Sequence, residues 1–264
     1  MTVDSLLMFD GKRKSGFTLT EVLISAGILA IGFMLIAGAF PVGVKLTATA
    51  TERSIGSVAS QEAEAKIRLH GINDATLFSS KCRRYVQVFG VAPATFDEMK
   101  DGYYPTTNLI EVEDKKYHWT ALCRRVGANE AQLNIFVCRL GGEDVSYPDP
   151  DVAGDVVDVP KPFKVDGLTQ VDTDKFEVPA GYKSYFSEGT VIVDNVTGAS
   201  YTVMERNLEP SGDWTIVLDA EPPPPLVFNG FWVIPSPVFD TTKTPMELEG
   251  RWPCVYHIQT VIEY

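Results

Sequence analysis

The sequence has little of what catalysis at a polar site needs. Its 264 residues include only three histidines, His70, His118 and His257, and none forms an H-E-x-x-H pair. There is no G-x-S-x-G nucleophile elbow and no glycine-rich phosphate loop. No enzymatic constellation, cofactor or metal is therefore expected. Basic residues are also short, with 23 Lys and Arg against 35 Asp and Glu and a net charge of −12. That balance argues against a nucleic-acid surface, which needs cations to meet phosphates. Cysteine is confined to Cys82, Cys123, Cys138 and Cys254, with no CxxC pair and no zinc-site spacing. The acidic, Pro/Gly-rich run 141–161 (Glu143, Asp144, Asp149, Asp151, Asp155, Asp158) lacks EF-hand spacing. It reads as a solvated loop or boundary rather than a calcium site. No internal repeat is present.

What the chain does have is one long apolar run. From Phe17 to Phe40 there are 24 residues, of which Glu21 alone is charged, and a basic cluster, Lys12-Arg13-Lys14, precedes them. As a helix this run is roughly 36 Å long, enough to cross a hydrocarbon core of about 30 Å with some tilt. A secretory signal would place a small-residue cleavage site after its apolar region. Here the plausible processing point, Gly16, comes before it, so cleavage would leave the run on the mature protein. Glu21 needs a partner, because a carboxylate facing a bilayer is rarely kept without one. Cleavage after Gly16 would create that partner, the free amine of Phe17. In staggered neighbouring helices the Glu21 of one chain could meet the Phe17 amine of the next, so that the acid selects for a polymer.

The run Gly16-Phe17-Thr18-Leu19-Thr20-Glu21-Val22-Leu23 resembles the prepilin cleavage and methylation motif of type IV pilins and type II secretion pseudopilins. The resemblance covers residues 12–42. Its continuation, Ile28 to Leu35, is similar to minor subunits, namely pilus-modification V proteins and I- or J-type minor pseudopilins. It implies that prepilin peptidase reads Lys14, Ser15 and Gly16, cuts before Phe17 and methylates the new Phe17 amine. Phe17 and Glu21 would then carry filament assembly. The implied partners are that peptidase, other pilins or pseudopilins and an inner-membrane assembly platform. Pro41 is the 25th residue of such a mature chain, later than in major pilins, and a kink or melted turn is expected there.

The expected fold is α+β: one helix of about 50 residues packed on an antiparallel sheet, with a β-rich insertion. Residues 1–16 form a leader, 17–41 a membrane helix and 42–71 its amphipathic continuation. Ile55, Val58, Ala59, Ala63 and Ile67 share a face of that continuation, and Gly71 is a stop. Residues 72–159 and 236–264 form a pilin-like head, with 160–235 inserted. Lys81 to Phe89 is a candidate strand and Thr95 to Glu98 a capping-box pattern. The clearest hairpin pairs Lys116–Val126 with Gln132–Leu140. It puts Trp119, Ala121 and Cys123 on one face of the first strand, and Leu133, Ile135 and Val137 on one face of the second. A second hairpin, Thr190–Val196 with Ser200–Arg206, turns at Thr197-Gly198. Trp214 to Leu218 and Phe231 to Ile234 are further strands, and Pro222 to Pro225 a stiff connection. The last run alternates, with Cys254, Tyr256, Ile258, Ile262 and Tyr264 on one face, and should rejoin the main sheet.

The basic cluster places the N-terminus in the cytoplasm and the rest outside. Removing residues 1–16, which carry +1, would leave a mature chain of −13. Four extracytoplasmic cysteines permit two disulfides in three connectivities, and buried free thiols are the alternative. Cys123 and Cys138 lie on hairpin partners, so they are candidates to meet. The expected function is a minor pilin or minor pseudopilin subunit. The alternative is a membrane-tethered binding module or filament-tip adhesin that uses 160–235 as its ligand surface.

Overall fold

The computed structural model describes residues 16–70, 86–88, 101–107, 109–111, 114–127, 129–141, 145–152, 155–222, 230–239 and 252–263. The chain divides after Thr51 into two units. Residues 1–15 of the leader, Gly71, Thr95 to Glu98 and Pro223 to Pro225 lie outside the described residues. The architecture is α+β, one long helix and then antiparallel sheets.

Helix α1 spans Leu19–His70. In the first unit its side chains are almost all exposed, among them Leu23, Ile28, Phe33 and Leu35. The hydroxyls of Thr47, Thr49 and Thr51 donate to the carbonyls of Gly43, Lys45 and Thr47 at 2.9, 3.0 and 2.9 Å. These polar groups are thus satisfied within the helix itself. Pro41 lies inside α1 without ending it, so the helix has no melted turn there. A proline removes one backbone donor and crowds one carbonyl, a local loss that an otherwise proline-free helix can bridge.

The second unit begins at Glu52, where α1 gains a buried stripe of Glu52, Gly56, Ala59, Ser60, Ala63 and Ile67. This spacing of three and four is one helix face. Three members match the expected face. Val58, however, is half exposed, and Gly56 and Ser60 sit inward instead. The stripe is turned toward its smallest residues because the sheet comes very close. A Cβ at Gly56 would lie 2.4 Å from Tyr256 Cβ.

The sheet under this stripe contains β1 (Val86–Gln87), β2 (Tyr103–Tyr104), β3 (Tyr117–Arg125), β4 (Glu130–Arg139) and β15 (Cys254–Glu263). Its order is β1-β3-β4-β15, and β2 also pairs with β3. Trp119, Ala121, Cys123, Leu133, Ile135 and Val137 pack against Ala59, Ala63 and Ile67, as the hairpin alternation predicts. The other face was expected to be polar. It is also buried, with Leu122, Phe136 and Cys138 joining Val193, Ile234 and Cys254 in a second core. Arg139 Nη1 meets the nearly buried Glu52 Oε1 at 2.7 Å, pinning α1 to the end of β4. At the far end of the stripe Lys66 Nζ donates to Asp101 O at 2.8 Å, and the Thr106 hydroxyl donates to Glu62.

Between β4 and β15 the chain builds two more sheets. The acidic run expected as a loop contributes β5 (Val145–Pro148) and β6 (Val156–Val157), and β5 pairs on one side with β6 and on the other with β14 (Val238–Phe239). Its carboxylates cap local backbone: Asp149 accepts from Asp151 N–H at 2.8 Å, and Asp155 from Val156 N–H at 2.9 Å. The larger sheet holds β7 (Phe163–Val165), β8 (Thr169–Gln170), β9 (Lys175–Val178), β10 (Val191–Asp194), β11 (Ser200–Leu208), β12 (Trp214–Leu218) and β13 (Phe231–Val233). Its order is β7-β13-β10-β11-β12-β9-β8. Phe176, Phe186, Ile192, Val203, Ile216 and Phe231 fill its core. The β10–β11 hairpin turns at Thr197-Gly198 as expected, with Gly198 at φ 74°. β10 stops two residues early because Asp194 accepts from Val196 N–H at 2.9 Å and from the Thr197 hydroxyl at 2.6 Å.

β15 pairs along β4, with a bulge between Cys254 and Tyr256. That extra residue corrects the expected alternation. Tyr256, Ile258 and Ile262 face the helix, whereas Cys254 faces the opposite core. His257 Nε2 lies 3.0 Å from Asn134 Oδ1, and its ring packs on Phe136. Burial lowers its pKa from 6.5 to about 4.

Two stability predictions follow from this packing. Gly56→Val should cost about 1–3 kcal/mol by overpacking against Tyr256, whereas Gly43→Val should be neutral because a Cβ there meets nothing within 4 Å. Urea melts of the full chain in detergent, read by tryptophan fluorescence, compare the two. His257 is neutral when folded and binds a proton more readily when unfolded. Its contribution is therefore intact above pH 6.5 and is lost as pH falls toward about 4. His257→Gln should flatten the melting temperature over that window relative to the parent chain.

Candidate functional site

The site is the entrance of α1. Gly16, Phe17 and Thr18 precede its first residue, Leu19, and Phe17 is 87% exposed. Thr18 is the N-cap. Its N–H donates to Glu21 Oε2 at 2.9 Å, and its hydroxyl donates to the same oxygen at 2.9 Å. In return Glu21 N–H donates to Thr18 Oγ1 at 3.3 Å. Val22 N–H closes the first helical bond on Thr18 O at 3.2 Å. This is a reciprocal capping box: each end of the Thr-x-x-Glu quartet satisfies a donor that the helix start leaves open. The negative carboxylate also sits at the positive end of the helix dipole. Both bonds to the carboxylate fall on Oε2. Among the described residues Oε1 accepts no hydrogen bond, which leaves it able to take a cationic donor from elsewhere.

Among the described residues of this unit none covers the apolar helix beyond the entrance. The helix is long and apolar enough to cross a membrane, with Glu21 as the one acid in its first turn. A scissile bond at Gly16–Phe17 would therefore sit in exposed, extended chain just outside an ordered helix, where a peptidase can reach it. The family model for the prokaryotic N-terminal methylation motif matches residues 11–37. The chain carries the type IV pilin signal. With a long N-terminal helix leading into antiparallel sheets, it is pilin-like, and the signal marks it as a prepilin-peptidase substrate. The match spans a small fraction of the 264 residues. No curated protein and no solved structure matches the chain.

Of the other residues singled out in the sequence, Lys14, Ser15 and Cys82 lie outside the described residues. Cys123, Cys138 and Cys254 are buried thiols far along the chain from the helix entrance. Cys123 and Cys138, expected as candidates to meet, are on opposite faces of the sheet. The register pairs Cys123 with Leu133 and Cys138 with His118, so odd and even positions part the two thiols. His118 is buried inside the same hairpin, and among the described residues no group of three or more His, Cys, Asp or Glu could hold a metal ion.

Thr18 is the residue that reading for the motif passed over. Its signal was present as Thr18-Leu19-Thr20-Glu21, a capping-box pattern immediately before an apolar run. Thr18→Val should remove both side-chain bonds while leaving the backbone bond to Glu21. Amide exchange at Leu19 to Val22 in detergent micelles should then be about 5-fold faster, the usual effect of one lost N-cap.

Proposed function

We propose that this chain is a structural subunit, a minor pilin or minor pseudopilin, of a type IV pilus or a type II secretion pseudopilus. The observation that carries the reading is an uncovered apolar helix whose entrance offers one carboxylate next to the scissile Gly16–Phe17 bond. Residues 1–16 act as the leader, and prepilin peptidase reads Lys14, Ser15 and Gly16 before cutting and methylating Phe17. The basic cluster Lys12-Arg13-Lys14 stays cytoplasmic, so that the chain crosses the inner membrane once and its head lies outside. During assembly a neighbouring subunit's Phe17 amine approaches Glu21, and the apolar helices pack together. The other partners are further pilins or pseudopilins and the assembly platform. Catalysis plays no part in this role.

A second reading has its own support. The seven-stranded sheet from 163 to 233 has a core of its own, a larger investment than a helix-packing head requires. It suits a membrane-tethered binding module or filament-tip adhesin, and such a module can ride on a pilin.

Intact-mass and N-terminal peptide analysis of protein from native membranes tests the processing step. The expected mature chain begins at N-methylated Phe17; a chain retaining residues 1–16, in cells that process other prepilins, would refute it. Glu21→Ala separates the two roles. A polymerising subunit should lose incorporation into sheared filaments while its membrane level is kept, and a mere tether should lose nothing.

A further inference from the structure

Cys138 and Cys254 occupy facing positions where the chain leaves the first sheet and where it returns. Cys138 is the penultimate residue of β4 and Cys254 the first of β15, and the register pairs them directly. Arg139 N–H donates to Pro253 O at 2.9 Å, one residue beyond each cysteine. That bond makes Cys138 and Cys254 a non-hydrogen-bonded antiparallel pair, whose Cα atoms lie about 4.5 Å apart. Disulfides span about 4.4–6.8 Å between Cα atoms, so the strands need no displacement. The bulge after Cys254 keeps its side chain on the Cys138 face, and both thiols are buried in one cluster with Leu122 and Phe136. The Cys254 S–H now donates to Tyr256 O at 3.0 Å, a weak bond that cross-linking would release.

We infer that Cys138 and Cys254 form a disulfide that closes residues 139–253 into a loop and locks the neck through which the second and third sheets are attached. The inference rests on the extracytoplasmic placement proposed above. Its oxidant is a protein or small-molecule disulfide. One cysteine thiolate attacks a sulfur of that donor and displaces its first thiol. The second cysteine then attacks the mixed disulfide and displaces the other thiol. One Sγ–Sγ bond forms, and two electrons and two protons leave on the donor as two thiols. Burial raises the Cys138 pKa well above the ordinary thiol value and so suppresses the reactive thiolate in the closed sheet. Once formed, the bond is shielded from reductants by the closed sheet, where both cysteines are buried. Cys123, on the opposite face, stays a thiol.

The test uses the full chain in detergent, reduced, unfolded and refolded with oxidised and reduced glutathione, alongside protein taken from native membranes without reductant. Free thiols are alkylated under denaturing conditions and peptides mapped by mass spectrometry. The expected result in both samples is a Cys138–Cys254 linked peptide with Cys123 alkylated. The linked chain should melt about 5–15 °C above its reduced form, a comparison that needs no variant. Cys123→Ser should leave the linked peptide in place, while Cys254→Ser should abolish it. Alkylated Cys138 and Cys254 after refolding, or either one joined to Cys82, would overturn the pairing. Linkage on refolding with free thiols in cells would instead overturn the extracytoplasmic placement, and with it the bond in the cell.

Discussion

The structure depends on one sheet being covered on both faces. β3 and β4 bury most of their side chains, odd positions under α1 and even positions against residues of the later sections. A strand in that position cannot leave a polar group unanswered, since an unpaired buried donor or acceptor costs about 1–3 kcal/mol. Asn134, fully buried in β4, meets that constraint through His257 on β15. Burial in the same place keeps the imidazole neutral. Two-sided burial thus sets the packing, the close approach at Gly56 and the protonation state of a histidine in the final strand.

Helix α1 shows how one secondary structure can serve two solvents. From Val22 to Val44 its residues are apolar apart from Ser25, and nearly all are exposed. From Glu52 onward it has a narrow stripe of small residues and a charged remainder. Among the described residues of its own unit the apolar surface of the first part has no partner, the kind of surface that lipid or other helices can cover. In the second part Ala59, Ala63 and Ile67 are satisfied by the chain's own sheet. The change falls where Glu52 reaches Arg139.

Much of this was readable before any coordinates. The helix, the signal at its start, the β3–β4 hairpin and the turn at Thr197-Gly198 all rest on local patterns: an apolar run, alternation, a glycine where φ is positive. What was not readable depends on distant chain segments. Nothing around Leu122 or Phe136 says that a second section will cover them. The inward rotation to Gly56 follows from Tyr256, two hundred residues later. The acidic run concealed β5 and β6, because short strands completed by Val238 and Phe239 carry no signal of their own. Cys254 was assigned to the wrong face because a bulge adds a residue without marking the sequence. At the helix entrance the capping pattern Thr18-Leu19-Thr20-Glu21 is local and overlaps the cleavage motif, so both signals share the same residues.

The pairing of β15 with β4 also sets a timetable. A chain that emerges N-terminus first presents α1 and the β3–β4 hairpin long before Cys254 to Glu263 arrive. Until then β4 has an open edge and Asn134 waits for its histidine. Such long-range closure is slow and leaves intermediates exposed to wrong partners. A subunit already tethered by α1 would therefore sit at the membrane as an incomplete sheet. Its final strand completes the sheet, so the head closes only once the chain has been delivered through residue 263.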